Sequence, residues 1–168
     1  MKSNDFVKTA GGPFSGYSDE DHPLGSYAAL AAAFNGGLAG LLLAARRGDR
    51  LPERVSAGDL LLLGTATHKL SRLLTKDRVT SFLRAPFTEY QSSSGHGEVE
   101  EKPRGKGLQL AIGELLVCPY CLAQWVSGGF LAGTILAPRA TRVVASLFAT
   151  LTVADFLQLA YKATEERA

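Results

Sequence analysis

The segment SYAALAAAFNGGLAGLLLAA, residues 26–45, decides how the rest of the chain is read. A soluble helix of this length shows a polar face at a period near 3.6 residues, whereas this one offers only Asn35 and small residues. Some 20 apolar residues at about 1.5 Å each match the hydrocarbon thickness of a bilayer. Residues 120–137 and 143–161 have the same character, and the three stretches together contain one charged residue, Asp155.

Average composition decides less. With 168 residues, 46% hydrophobic and 20% charged, the chain would also suit one soluble domain. The segregation of charge into residues 46–59, 69–84 and 98–106 carries the argument. The competing reading, core helices of a soluble all-α domain, needs more covering protein than so short a chain supplies. Residues 26–45 do not read as a cleaved leader either, because Asp5, Asp19, Glu20 and Asp21 precede them and AARRGDR closes them without a small-residue cleavage site. Residues 1–25, Gly/Ser/Pro-rich and acidic, read as a flexible tail, and 164–168 as a short C-terminal tail.

AGDLLLLGTATHKLSRLLTKD, residues 57–77, is a less apolar fourth candidate. Residues 57–74 span if Lys69 and Arg72 lie near one end and reach headgroups along their aliphatic stems; otherwise they form an amphipathic helix on the membrane surface. Asp59 is the expected N-cap. The fold class expected is therefore all-α: a small polytopic membrane helical bundle over residues 26–163, with spans near 26–45, 57–74, 120–137 and 143–161, three if 57–74 lies on the surface.

The run DLLLLGTATHKLSRLLTKDRVTSFLRAPF, a polar loop, then GELLVCPYCLAQWVSG and a closing apolar helix resembles domain-of-unknown-function family 1360, a bacterial family of uncharacterised membrane proteins. The shared marks are Lys69, Leu70, Arg72 and Leu73 ahead of Asp77, and a paired-cysteine motif opening the next membrane helix. The resemblance covers residues 57–163. It implies a membrane location and no activity.

With four spans, Lys69, Arg72, Lys76, Arg78, Arg84, Lys102, Arg104, Lys106 and Lys162 fall on one side, and Arg46, Arg47, Arg50, Arg54, Arg139 and Arg142 on the other. The excess of positive charge places both termini and the polar loop, residues 76–107, in the cytoplasm of a bacterial inner membrane. Tyr27, Tyr120 and Tyr161 then lie at the cytoplasmic interface, where amphipathic rings are favoured.

The only two cysteines, Cys118 and Cys121 in CPYC, stand at the start of the third apolar span. In a reducing compartment they are expected as free thiols. Three roles are open to them. A redox pair gains from the unpaired amides of a helix N-terminus, and Cys121, inside the first turn, is expected to react faster; yet GKGLQLAIGELLV before the motif reads as a short amphipathic helix, unlike the strand that precedes CPYC in glutaredoxins. A metal site would combine Cys118, Cys121 and His68 and still lack a ligand, since His22 and His96 lie in Gly-rich polar stretches. The simplest role is packing, with Pro119 starting the helix and Tyr120 anchoring it. No cofactor is implied.

Asp155 needs a partner at membrane depth. Counted back from the helix ends, it shares a level with His68 and Lys69, so His68, Lys69, Arg72 and Asp155 are expected to form a buried polar cluster. That cluster reads first as a structural ion pair and second as a proton or ion path. Gly36 with Gly40, and Gly129 with Gly133, have the spacing of close helix contacts.

Function is less legible. No set of nucleophile, base and oxyanion donor can be assembled, so the expectation is a non-catalytic integral membrane protein that binds or organises envelope partners. The alternative is a membrane thiol oxidoreductase or metal-binding protein using CPYC. Expected partners are the lipid bilayer, including anionic lipid at the basic residues 69–84, and a membrane protein or a second copy of the chain. Nucleic acid is not expected at a net charge of +2.

Overall fold

The computed structural model describes Tyr17 and residues 22–167. The expected flexible tail, residues 1–25, lies outside these except at Tyr17 and residues 22–25, and Leu24 and Gly25 already belong to the first helix. The elements are α1 (Leu24–Arg47), α2 (Ala57–Lys76), a 3-10 turn (Arg78–Thr80), α3 (Ser81–Arg84), β1 (Thr88–Ser94), β2 (Glu98–Pro103), α4 (Leu108–Val117), α5 (Pro119–Leu136) and α6 (Pro138–Glu165).

The chain is mostly helical, but the all-α expectation is corrected by an antiparallel hairpin, β1 with β2, inside the stretch read as a polar loop. TEYQSSS and EVEEKP have no apolar alternation from which strands could be read. The hairpin rests instead on its turn, where His96 and Gly97 both take positive φ, and on a bulge at Gln91 between the Tyr90–Glu101 and Ser92–Glu100 pairs.

Among the described residues two helices, α1 and α6, are long and apolar enough to cross a membrane; α4 with α5 makes a third if this pair, bent by 90°, counts as one span. The bend falls at Cys118, which is extended, and at Pro119, whose missing N–H suits the first turn of α5. Beside it, α4 approaches the hairpin so closely that a Cβ on Gly113 would lie 2.5 Å from the Phe87 carbonyl oxygen.

The less apolar α2 sits at the centre, packed along both α5 and α6. Its cap is Ser56 rather than Asp59: the Ser56 hydroxyl accepts from the Asp59 amide at 3.0 Å and donates to its carboxylate at 2.8 Å, a reciprocal capping arrangement. Ala66, Phe130 and Ala145 form the buried core, with Leu62, Leu63, Leu70, Val126 and Phe148 against it. On α6 the inward positions Thr141, Ala145, Phe148, Thr152 and Asp155 alternate by four and three residues, the seam of helices packed nearly in line.

The outer helix, α1, is held at two points. Phe34 meets Trp125 edge-on with ring centroids 5.3 Å apart, and the Tyr27 hydroxyl donates to Glu114. Phe34 also lies over Gly128, where a Cβ would come within 2.9 Å of its ring.

Candidate functional site

Among the described residues, every ion pair that links distant elements lies at one of two levels of the bundle. At the start of α2 and α6, Arg142 donates to Asp59 at 3.1 and 3.2 Å. Ten residues further along α2, the Lys69 ammonium lies 2.7 Å from the Asp155 carboxylate of α6. Between the two levels the Thr152 hydroxyl donates to the Thr65 carbonyl at 3.3 Å. These contacts make α2 and α6 parallel neighbours, with α5 returning between their ends.

Below Lys69 the hairpin is clipped onto α2. Arg72 donates through Nε and Nη2 to both oxygens of Glu98, each at 2.8 Å, and Lys76 reaches Glu100 at 3.0 Å. The match is geometric. Four residues of helix advance about 6 Å, and two residues of strand advance about 6.6 Å, so an i, i+4 pair of cations faces an i, i+2 pair of carboxylates. Arg72 thus pairs with Glu98, while Lys69 alone takes Asp155. Of the basic residues in 69–84, Lys69, Arg72 and Lys76 are thus paired with carboxylates of the chain, while exposed Arg78 donates to the Ser93 hydroxyl at 2.6 Å.

A third clip is buried. The Arg84 side chain is fully enclosed and Glu101 nearly so, 2.6 Å apart. Every N–H of the guanidinium finds an acceptor: Glu101, the carbonyls of Leu74 and Asp77, and the hydroxyls of Thr80 and Ser81. Arg84 therefore closes the C-terminal end of α2, where exposed carbonyls favour a cation, and fixes the hairpin beneath it. Thr88 completes the cluster by donating to Glu101 at 3.1 Å. The sequence places Arg84 among the basic residues of one side but does not show its pairing, nor the roles of Glu98 and Glu101; the available signal was the spacing of EVEE against the basic turn of α2.

Between the hairpin turn and the facing parts of α2 and α6 is a cavity of about 740 Å³. Lys69, Arg72, Asp155 and His68 line it, so the four residues expected to cluster share one wall system, although only Lys69 and Asp155 touch. Its roof is pinned where Arg78 N–H donates to the Gly97 carbonyl at 3.0 Å and Asp77 bridges Glu98. Asp77, also in the lining, has its carboxyl held above the usual carboxylate range, chiefly by burial.

Cys118 and Cys121 are joined as a disulfide, with Cα atoms 5.3 Å apart, so the structure shows the oxidised form of a pair expected as free thiols. Cys118 is the N-cap of α5, and its sulfur accepts from the Cys121 amide at 3.2 Å. The thiolate favoured by the helix N-terminus is therefore that of Cys118; Cys121 is the more exposed of the two. His68 lies in the cavity instead of at this corner, and among the described residues no group of three His, Cys, Asp or Glu side chains could hold a metal ion.

Of the four glycines expected at packing faces, Gly133 meets a neighbour, with a Cβ there 2.5 Å from the Thr141 hydroxyl; Gly36, Gly40 and Gly129 have open space above them.

Comparison with known proteins gives a family and a relative. The family described as "Protein of unknown function (DUF1360)" matches residues 62–161. The chain is 29% identical over 102 residues to the sporulation protein YjcA of Bacillus subtilis (strain 168), a match covering 59% of this chain and 86% of the relative. No solved structure matches the chain.

Proposed function

The chain belongs to the DUF1360 family of proteins of unknown function, and from that premise we propose that it is a non-catalytic, multi-pass protein of the bacterial cytoplasmic membrane that holds its hairpin as a docking platform for an envelope partner. The observation that carries this is the segregation of its surface. Leu61, Val143 and Leu157 stand outward and exposed on the bundle, while among the described residues the ion pairs linking distant elements are confined to its two ends. Such a surface suits lipid around the middle and water at the ends.

Four spans are supported by the parallel pairing of α2 with α6: if α6 crosses, a helix tied to it at Asp59–Arg142 and Lys69–Asp155 crosses beside it. The excess of basic residues on the hairpin side supports a cytoplasmic hairpin and cytoplasmic termini. The hairpin is held by three ion pairs and exposes Tyr90 on a strand edge, features of a rigid binding element. What the relative's name contributes is a process, sporulation, and not a reaction.

A thiol-exchange role is the second reading, favoured by the disulfide at a helix N-cap. One set of variants separates the two. Reporter fusions at Asp49 and Glu98 should report opposite sides of the membrane, and a photo-cross-linker at Tyr90 should trap a discrete partner from the hairpin side. The Cys118→Ser, Cys121→Ser double variant should retain both results and the cellular phenotype. Reporters on the same side overturn the four-span arrangement, and loss of phenotype with the fold intact transfers the function to the cysteines.

A further inference from the structure

The cavity between α2, α6 and the hairpin turn has charges that its own ion pairs do not consume. Lys69 is committed to Asp155 and Arg72 to Glu98. Among the described residues, the Asp77 carboxyl has no hydrogen bond or ion pair, and neither do the imidazoles of His68 and His96. Lys162 is engaged only with exposed Glu166 at 3.7 Å, beyond hydrogen-bond distance. Phe156 and Leu159 make part of the lining apolar. A volume of about 740 Å³ is within the range of small-molecule sites, roughly 300–1,000 Å³.

This residue set discriminates by charge. A simple anion entering the cavity would face Asp77, Glu98, Asp155 and Glu165, and a simple cation would face Lys69, Arg72 and Lys162; a ligand carrying both signs satisfies both. A phosphodiester is suited to Lys162 and the imidazole N–H groups, and a primary ammonium to the Asp77 carboxylate. The apolar wall accommodates a glycerol or acyl portion.

We propose that this cavity binds a phosphoethanolamine group, a phosphodiester and a primary ammonium on one ligand, as carried by an aminophospholipid at the membrane boundary. The lipid source rests on the hairpin end lying at the headgroup level, as in the reading above; the headgroup chemistry does not. The turn that closes the cavity is anchored by the Arg78–Gly97 bond and places His96 at positive φ, a conformation uncommon for a non-glycine residue, at the cavity rim. The roof is thus preorganised, so little ordering accompanies binding.

The test uses the full chain purified in detergent and titrated with three probes: dioleoyl phosphatidylethanolamine, dioleoyl phosphatidylglycerol, and soluble glycerophosphoethanolamine. Thermal shift and native mass spectrometry are the readouts. Phosphatidylethanolamine should bind about tenfold or more tighter than phosphatidylglycerol. That preference should vanish in Asp77→Asn and in Lys162→Met, and persist in Glu53→Gln, which lies outside the cavity. Binding of the lipid but not the soluble compound supports a membrane lipid as the source; binding of both, each dependent on Asp77, supports the headgroup in either form. Equal binding of the two lipids, or a preference that survives Asp77→Asn and Lys162→Met, overturns the proposal. Binding in detergent does not depend on which side the hairpin faces, so a failed topology test leaves this one standing.

Discussion

Lys69 Nζ on α2 lies 2.7 Å from Asp155 Oδ2 on α6, a contact across 86 residues of sequence. The lysine side chain is mostly enclosed and the carboxylate is half open to the cavity, so the pair joins the interior of the bundle to its polar end.

Breaking this pair should weaken the α2–α6 seam without unfolding the hairpin. Asp155→Asn and Lys69→Met are each expected to lower the melting temperature in detergent, and the double variant should lose less than the sum, with a coupling of about 1 kcal/mol. Arg72→Met should be additive with Asp155→Asn, since Arg72 pairs with Glu98. Thermal unfolding of the six proteins, wild type and both double variants included, checks both; additivity between Lys69 and Asp155 would remove the contact.

Arg84 should be the most sensitive position of the hairpin end. Arg84→Met leaves Glu101 buried without its counter-charge and several carbonyls without donors, at a cost of about 3–5 kcal/mol. Arg84→Lys should recover little of this, because an ammonium cannot serve acceptors spread over the planar fork. Glu101→Gln in the Arg84→Met background should regain part of the loss. Protease sensitivity of residues 85–104 measures it, and a stable Arg84→Met hairpin would contradict the clip.

After reduction, Cys118 should be the faster of the two cysteines to alkylate at neutral pH, although Cys121 is more exposed, because the Cys121 amide and the start of α5 stabilise charge on the Cys118 sulfur. Limited iodoacetamide labelling of Cys118→Ser and Cys121→Ser variants decides the order. Faster labelling of the protein that keeps Cys121 would show that exposure outweighs the helix terminus.

Local pattern determined a definite part of this molecule. The apolar runs at 26–45 and 143–161 required helices because over a bilayer width they carry no charge but Asp155 and no polar face, and they correspond to α1 and α6. The common level of Lys69 and Asp155 could be counted out at 1.5 Å per residue from the ends of their helices, because helical rise is constant. What local pattern could not express is partner choice between segments. TEYQSSS and EVEEKP lack alternation because the strands meet water on one side and ion pairs on the other, so the hairpin emerged only with the tertiary structure. That hairpin moved Arg72 from Asp155 to Glu98 and gathered Arg84, ten residues beyond Leu74, back onto the end of α2. Its arrival also closed the cavity and set Asp77 against it. At the other corner, Cys118 became the cap only because Pro119 starts α5 after a 90° turn from α4, a relation between two helix axes that no spacing of residues encodes.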